Sequence, residues 1–126
     1  MSEKRENQAV KNKDLMNCCQ SVLLAYADDL GKSKSELLQL GSGFGSGMGG
    51  QKATCGALVG AVIAANLLKG EDRHQAKETS SAMLDEFESL VGATICGDIK
   101  REETGDPLCS CEDCVRYAVR VLDKRL

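Results

Sequence analysis

The sequence predicts an all-α protein, a compact bundle of about five helices with a glycine-rich loop ahead of the central helix. Three observations carry this. No stretch of useful length alternates apolar and polar residues, whereas several repeat apolar residues every three or four positions. With two Phe, two Tyr and no Trp, the core must be built from Leu, Val, Ile, Ala and Met, which suits closely packed helices better than sheets. Glycines follow the periodic segments where helix C-caps belong. At 126 residues the chain reads as one domain, residues 1–126, able to bury roughly two-thirds of its unfolded surface.

Residues 1–10 are charged with no apolar run after them, so they read as a disordered tail and not as a secretory signal. From about Gln8 to Leu30, Leu15, Cys18, Cys19, Val22, Leu23, Tyr26 and Leu30 fall at helical spacing and predict one amphipathic helix, capped by Gly31. Ser33 or Ser35 offers the next N-cap, and Glu36 opens a short helix carrying Leu37, Leu38 and Leu40. Between Gly41 and Gly50 six of ten residues are glycine. A regular helix there would cost about 1 kcal/mol per glycine relative to alanine. The expectation is an ordered loop anchored by Phe44 and Met48.

Thr54 is placed to cap a helix from about Cys55 to Lys69, in which Gly56, Gly60 and Ala64, and Ala57, Ala61 and Ala65, recur every fourth position. Such small-residue ridges let neighbouring backbones come close, so this is the expected central helix, ended by Gly70. A long polar helix should run from Arg73 to Val91, turning Ala76, Met83, Leu84, Phe87, Leu90 and Val91 inward, and stop at Gly92. Cys96–Ile99 suggests a turn or single helical turn, and Lys100–Asp106 a charged loop. The last helix, from about Glu112 to Leu126, should face Val115, Ala118, Val119 and Leu122 inward.

Several function classes drop out. A formal charge of −3 without a basic run argues against nucleic acid. The longest apolar run, Ala57–Leu68, is too short to span a bilayer, so a cytoplasmic protein with no membrane insertion is expected. Gly45–Gly50 matches GxGxxG, but no strand precedes it, and Lys52 completes no phosphate-binding triplet. His74, the only histidine, lies among Glu71, Asp72, Arg73 and Gln75 as a solvated helix start. A Cys/His nucleophile pair is therefore disfavoured.

What remains is sulfur. The seven cysteines are Cys18, Cys19, Cys55, Cys96, Cys109, Cys111 and Cys114. No short segment holds enough ligands for a closed site, which implies long-range convergence on a shared thiol or metal site. In a reducing compartment, unpaired cysteines are more often metal ligands or redox thiols than structural disulfides. Cys55 should lie in the first turn of a helix, where unpaired N–H groups favour the thiolate. Cys111 and Cys114 open the last helix on one face, Cys96 lies just past a helix, and Cys18 comes from mid-helix. Cys19 is most simply a small core residue. Cys109-Ser110-Cys111-Glu112-Asp113-Cys114 is a C-x-C-x-x-C cluster suited to a soft metal, but it supplies at most three ligands. The others would come from Cys18, Cys55 or Cys96. The glycine loop either brings backbone N–H groups to these sulfurs or is a plain connection.

Asn17-Cys18-Cys19-Gln20-Ser21-Val22-Leu23-Leu24-Ala25, Ser42–Gly49 and Cys55-Gly56-Ala57-Leu58-Val59-Gly60 together resemble the C_GCAxxG_C_C family of redox-active proteins, whose central motif is Cys-Gly-Ala-x-x-Gly. Phe87 followed by Gly92, Ala93, Thr94 and Cys96, then Cys111 ahead of Val115 and Ala118, extends the resemblance from about Asn17 to Leu122. It implies a small helical redox protein. The family's four cysteines fall on Cys18, Cys55, Cys96 and Cys111, with Cys109 and Cys114 near enough in sequence to stand in for the last. Similar domains occur in multidomain redox proteins, including the split-Soret cytochromes, which favours an iron–sulfur cluster held by these four for electron transfer. Two alternatives stand beside it: a module holding zinc or copper(I), and a metal-free thiol–disulfide protein in which Cys55 attacks. The redox partner is unidentified, a homodimer is open, and the resemblance supplies no established reaction.

Overall fold

The computed structural model describes residues 2–126, and among them every regular element is helical. Eight α-helices follow one another: α1 (Ser2–Lys13), α2 (Cys18–Ala25), α3 (Ala27–Leu30), α4 (Lys34–Gly41), α5 (Gly56–Lys69), α6 (Arg73–Val91), α7 (Cys96–Lys100) and α8 (Cys111–Asp123). A wide turn, Gly47–Gln51, lies between α4 and α5, closed by Lys52 and Ala53 N–H groups that both donate to the Gly47 carbonyl. The all-α class holds, with more helices than the five expected.

The surplus arises where the sequence reads as one helix. Instead of a single rod from Gln8 to Leu30 preceded by a disordered tail, residues 2–13 form α1, and the chain then breaks and restarts. Asn17 stops any continuation. Its backbone is extended, its side chain accepts from Gln20 N–H, and Gln20 Oε1 accepts from Asn17 N–H, a reciprocal capping box. A second break falls at Tyr26, whose ring is buried while its Oη donates to Asp123 Oδ1 at 2.5 Å. Leu15, expected on the buried stripe, lies in the intervening turn and is 82 % exposed.

Packing then makes α1 an integral layer. It lies against α8 and α2. Ala9 is fully buried, and Glu6 accepts from Arg120 at 3.0 and 3.1 Å. The Arg5 guanidinium sits 4.2 Å over the Tyr26 ring and donates to Asp29. Helix α5 is central as expected, touching α2, α3, α6 and α8. Gly60 explains how it approaches α2: a Cβ there would lie 2.7 Å from the Cys19 carbonyl oxygen and 3.3 Å from Cys19 Cα. Helix α6 keeps its predicted limits. It buries Met83, Phe87 and Val91, whereas Leu84 and Leu90 are exposed at its margins. Gly31, Gly70 and Gly92 cap as expected, each with positive φ. No helix among the described residues is long and apolar enough to cross a membrane.

Candidate functional site

Four chain segments meet at one end of the bundle. The first is the start of α2, where the Asn17 box makes Cys18 the first helical residue, at a helix N-terminus and not mid-helix as expected. Asn17 also donates to the Gly41 carbonyl at 3.2 Å, tying this end to the end of α4. Its Cβ occupies the space over Gly45, where an added Cβ would fall 2.5 Å from it.

The second and third segments are locked to each other. Thr54 and Ile95 form an isolated antiparallel bridge. Around it Cys55 N–H donates to the Thr94 carbonyl at 2.7 Å, and Cys96 N–H to the Ala53 carbonyl at 2.9 Å. Thr54 is thus a bridge residue and not the cap of α5. Cys55 itself occupies the N-cap position, one residue before the expected first turn. The glycine-rich turn presses on this pair. Gly47 has φ +59°, and a Cβ there would sit 2.6 Å from Cys96 Cβ and 2.9 Å from the Ala53 carbonyl oxygen. Phe44 packs on the core, but Met48, the other expected anchor, is 63 % exposed.

The fourth segment leads into α8. Leu108 N–H donates to the Ile99 carbonyl at 2.8 Å, and Ser110 caps the helix by accepting from Asp113 N–H at 3.0 Å. Cys109, Cys111 and Cys114 are thereby carried to the same place.

The result is a cavity of about 110 Å³ lined by Cys18, Cys55, Cys96, Cys109, Cys111 and Cys114, with Gly56, Lys13 and Lys100 among its other walls. The four cysteines named from the resemblance all line it, and so do Cys109 and Cys114. Cys19 does not. It is fully buried in the core, where burial pushes its thiol up to about 12, as suits an inert packing residue. His74 is exposed and faces Glu78, away from the cysteines.

The six thiols differ electrostatically. Cys55 is drawn down to about 7, first by a hydrogen bond from Cys114, then, against the cost of burial, by the Ala57 and Leu58 N–H groups at the start of α5 and by Lys100. Cys114 moves strongly the other way, because the proton it gives to that hydrogen bond is held in place and burial resists its loss. When the pair loses a proton, the charge therefore falls on Cys55 and the remaining proton stays with Cys114. Cys18 is raised by burial, partly offset by the Ser46 N–H that its sulfur accepts. Burial also raises Cys96, opposed by Lys100, and Cys109, opposed by its contact with Cys114. Among the described residues no three His, Cys, Asp or Glu side chains stand close enough together to hold a metal ion as placed.

Some members of this site were not identified from sequence. Asn17-x-x-Gln20 carried a detectable signal, the spacing of a capping box. Lys13 and Lys100 carried none, being two of sixteen basic residues without a distinguishing pattern.

The family model described as "Putative redox-active protein (C_GCAxxG_C_C)" matches residues 16–125. No curated protein and no solved structure matches the chain.

Proposed function

The chain belongs to the C_GCAxxG_C_C family of redox-active proteins, and on that premise we propose that its cavity holds an iron–sulfur cluster through Cys18, Cys55, Cys96 and Cys111. The protein would then be an electron carrier. The observation that supports this reading most is the convergence of six sulfurs from four separate segments on one cavity whose lining includes no carboxylate and no imidazole. That donor set fits iron–sulfur ligation, which is thiolate chemistry. It would also fit zinc, but zinc has no redox chemistry to match the family's character.

The surroundings suit the same purpose. N–H groups of Ser46, Ala57 and Leu58 point at ligand sulfurs, and such hydrogen bonds to sulfur tune reduction potential. Lys13 and Lys100 offset the negative charge that several thiolates bring into a partly buried space. Gly56 leaves room for the Cys18 sulfur itself, since a Cβ there would lie 2.6 Å from it. Bound in the cavity, the cluster would supply one-electron transfer. The chain's part is to supply thiolates, donate N–H groups to them and close in from the present spacing of the thiols.

Iron, acid-labile sulfide and the visible spectrum of protein purified without oxygen test this. Stoichiometric iron and sulfide with cluster absorption are expected, all lost in Cys55→Ser. Stoichiometric zinc or copper instead, or no iron after reconstitution with iron and sulfide, would overturn it.

A further inference from the structure

Helix α5 is apolar on every side. Apart from its two glycines, only Asn66 and Lys69 of its fourteen residues are polar. A helix of that composition belongs in an interior, yet α2, α6 and α8 cover only part of it. Val59, Val62 and Ile63 are left half-buried, and Leu67 is 45 % exposed. Two exposed leucines continue this strip on its flanks: Leu84 of α6 shares a groove with Val62 and Ile63, and Leu40 of α4 shares another with Leu67. The strip has a hollow and a projection. The hollow is a groove of about 170 Å³ walled by Val59, Val62, Ile63 and Leu84, with Thr54 and Ser80 as its polar members. The projection is Leu67, one helical turn beyond Ile63.

We propose that this face is a homodimer interface in which Leu67 of each copy fills the groove of the other. A two-fold axis lying in a face exchanges any two points placed symmetrically about it. A projection and a hollow side by side therefore make the face complementary to itself, as an isologous contact requires. Apolar surface removed from water at the centre of the patch supplies the drive.

The charges on the rims select a second copy as the occupant. Lys32 and Glu36 stand beside Leu67. On α6, Lys77 precedes the groove residue Ser80 by three positions and Glu88 follows Leu84 by four, which sets both on the groove's side of that helix. None of these four is in an ion pair among the described residues. The two-fold lays the Leu67 rim of one copy along the groove rim of the other, so each rim brings one charge of each sign to a rim that offers both. A strongly acidic or strongly basic partner would meet repulsion as well as attraction there. The groove wall includes Thr54, the bridge residue next to Cys55, so the interface backs onto the cysteine site. It uses none of the residues that line the cysteine cavity and is independent of the cluster reading.

The test is sedimentation velocity of the full chain from about 1 to about 100 µM. The protein is purified without oxygen and kept in a phosphine reductant, so that no disulfide joins two chains. A species of twice the chain mass should dominate at the upper end. Leu67→Lys removes the projection and Leu84→Lys charges the groove. Each should weaken dimerisation by about tenfold or more, because each change is made twice across the two-fold. Leu126→Lys, at an exposed leucine that lines neither groove, should leave it unchanged. Circular dichroism checks the fold of each variant, and the wild-type concentration series decides the matter even if one fails to fold. A single-chain mass at every concentration, or a dimer that both lysine variants leave intact, would overturn the proposal. So would monomeric protein that floats with phosphatidylcholine vesicles and ceases to do so as Leu67→Lys, which would assign the face to a lipid surface. Iron and sulfide are measured on the same samples, so failure of the cluster reading is seen separately.

Discussion

Replacing Gly56 by alanine tests whether the Cys-Gly-Ala motif exists to let the Cys18 sulfur come close. The added methyl would lie 2.5 Å from the Phe44 carbonyl oxygen and 2.6 Å from Cys18 Sγ, well inside van der Waals separation. The sulfur can rotate away, but the carbonyl belongs to the backbone of a packed loop, so relief requires the loop to move. Inserting a methyl into packed structure costs about 1–3 kcal/mol, and two contacts this short argue for the upper part of that range. Alanine gains up to about 1 kcal/mol over glycine in a helix, less at the first helical position, which leaves a net loss of about 2 kcal/mol. For a chain of this size that lowers Tm by about 8 °C. Gly43→Ala is the matched control: nothing lies within 4 Å of its added Cβ and its φ is not positive. It should be neutral, or more stable by about 0.4–1 kcal/mol through the unfolded chain. Urea unfolding followed at 222 nm measures both, and maleimide labelling reports whether Cys18 becomes more reactive. A Gly56→Ala protein as stable as the wild type, with Cys18 labelling unchanged, would refute the close-approach argument.

Three further outcomes follow from the same geometry. Tyr26→Phe removes the hydroxyl that donates to Asp123 from a buried ring and should cost about 1–2 kcal/mol in urea unfolding, with no change in the m-value. In reduced, metal-stripped protein, thiolate absorbance at 240 nm should show one cysteine titrating near pH 7, and Cys114→Ala should move that titration upward by removing the hydrogen bond that leads the Cys55 shift. The Glu86 carboxyl is held below its ordinary value by Lys124 first, and by Arg125. Its folded pKa is depressed, so its contribution is fully present above the unfolded carboxylate value of about 4.3 and fades as pH falls through the lower folded value. Acid titration of stability should be shallower below about pH 4.3 in Glu86→Gln than in the wild type.

The sequence by itself determined the helical class, the limits of α6, the glycine stops at Gly31, Gly70 and Gly92, and the family. Each of these is local: periodicity acts within a few turns, a left-handed cap needs one glycine, and the Cys-Gly-Ala-x-x-Gly motif is contiguous. The break at Asn17 was local too, but the run of apolar residues through Leu15 hid it. Tertiary structure alone decided the rest. Residues 2–13 become helix because α8 and α2 offer them a surface and ion pairs, a benefit a charged segment does not advertise. The bridge between Thr54 and Ile95 joins residues forty-one apart in sequence and aims Cys55 and Cys96 together, which spacing cannot express. Cys109 and Cys114 join the cavity while Cys19 turns into the core, because the direction of a side chain is set by the elements packed around it. Burial, a neighbouring thiol and helix-start N–H groups then separate thiols that are chemically identical in the unfolded chain.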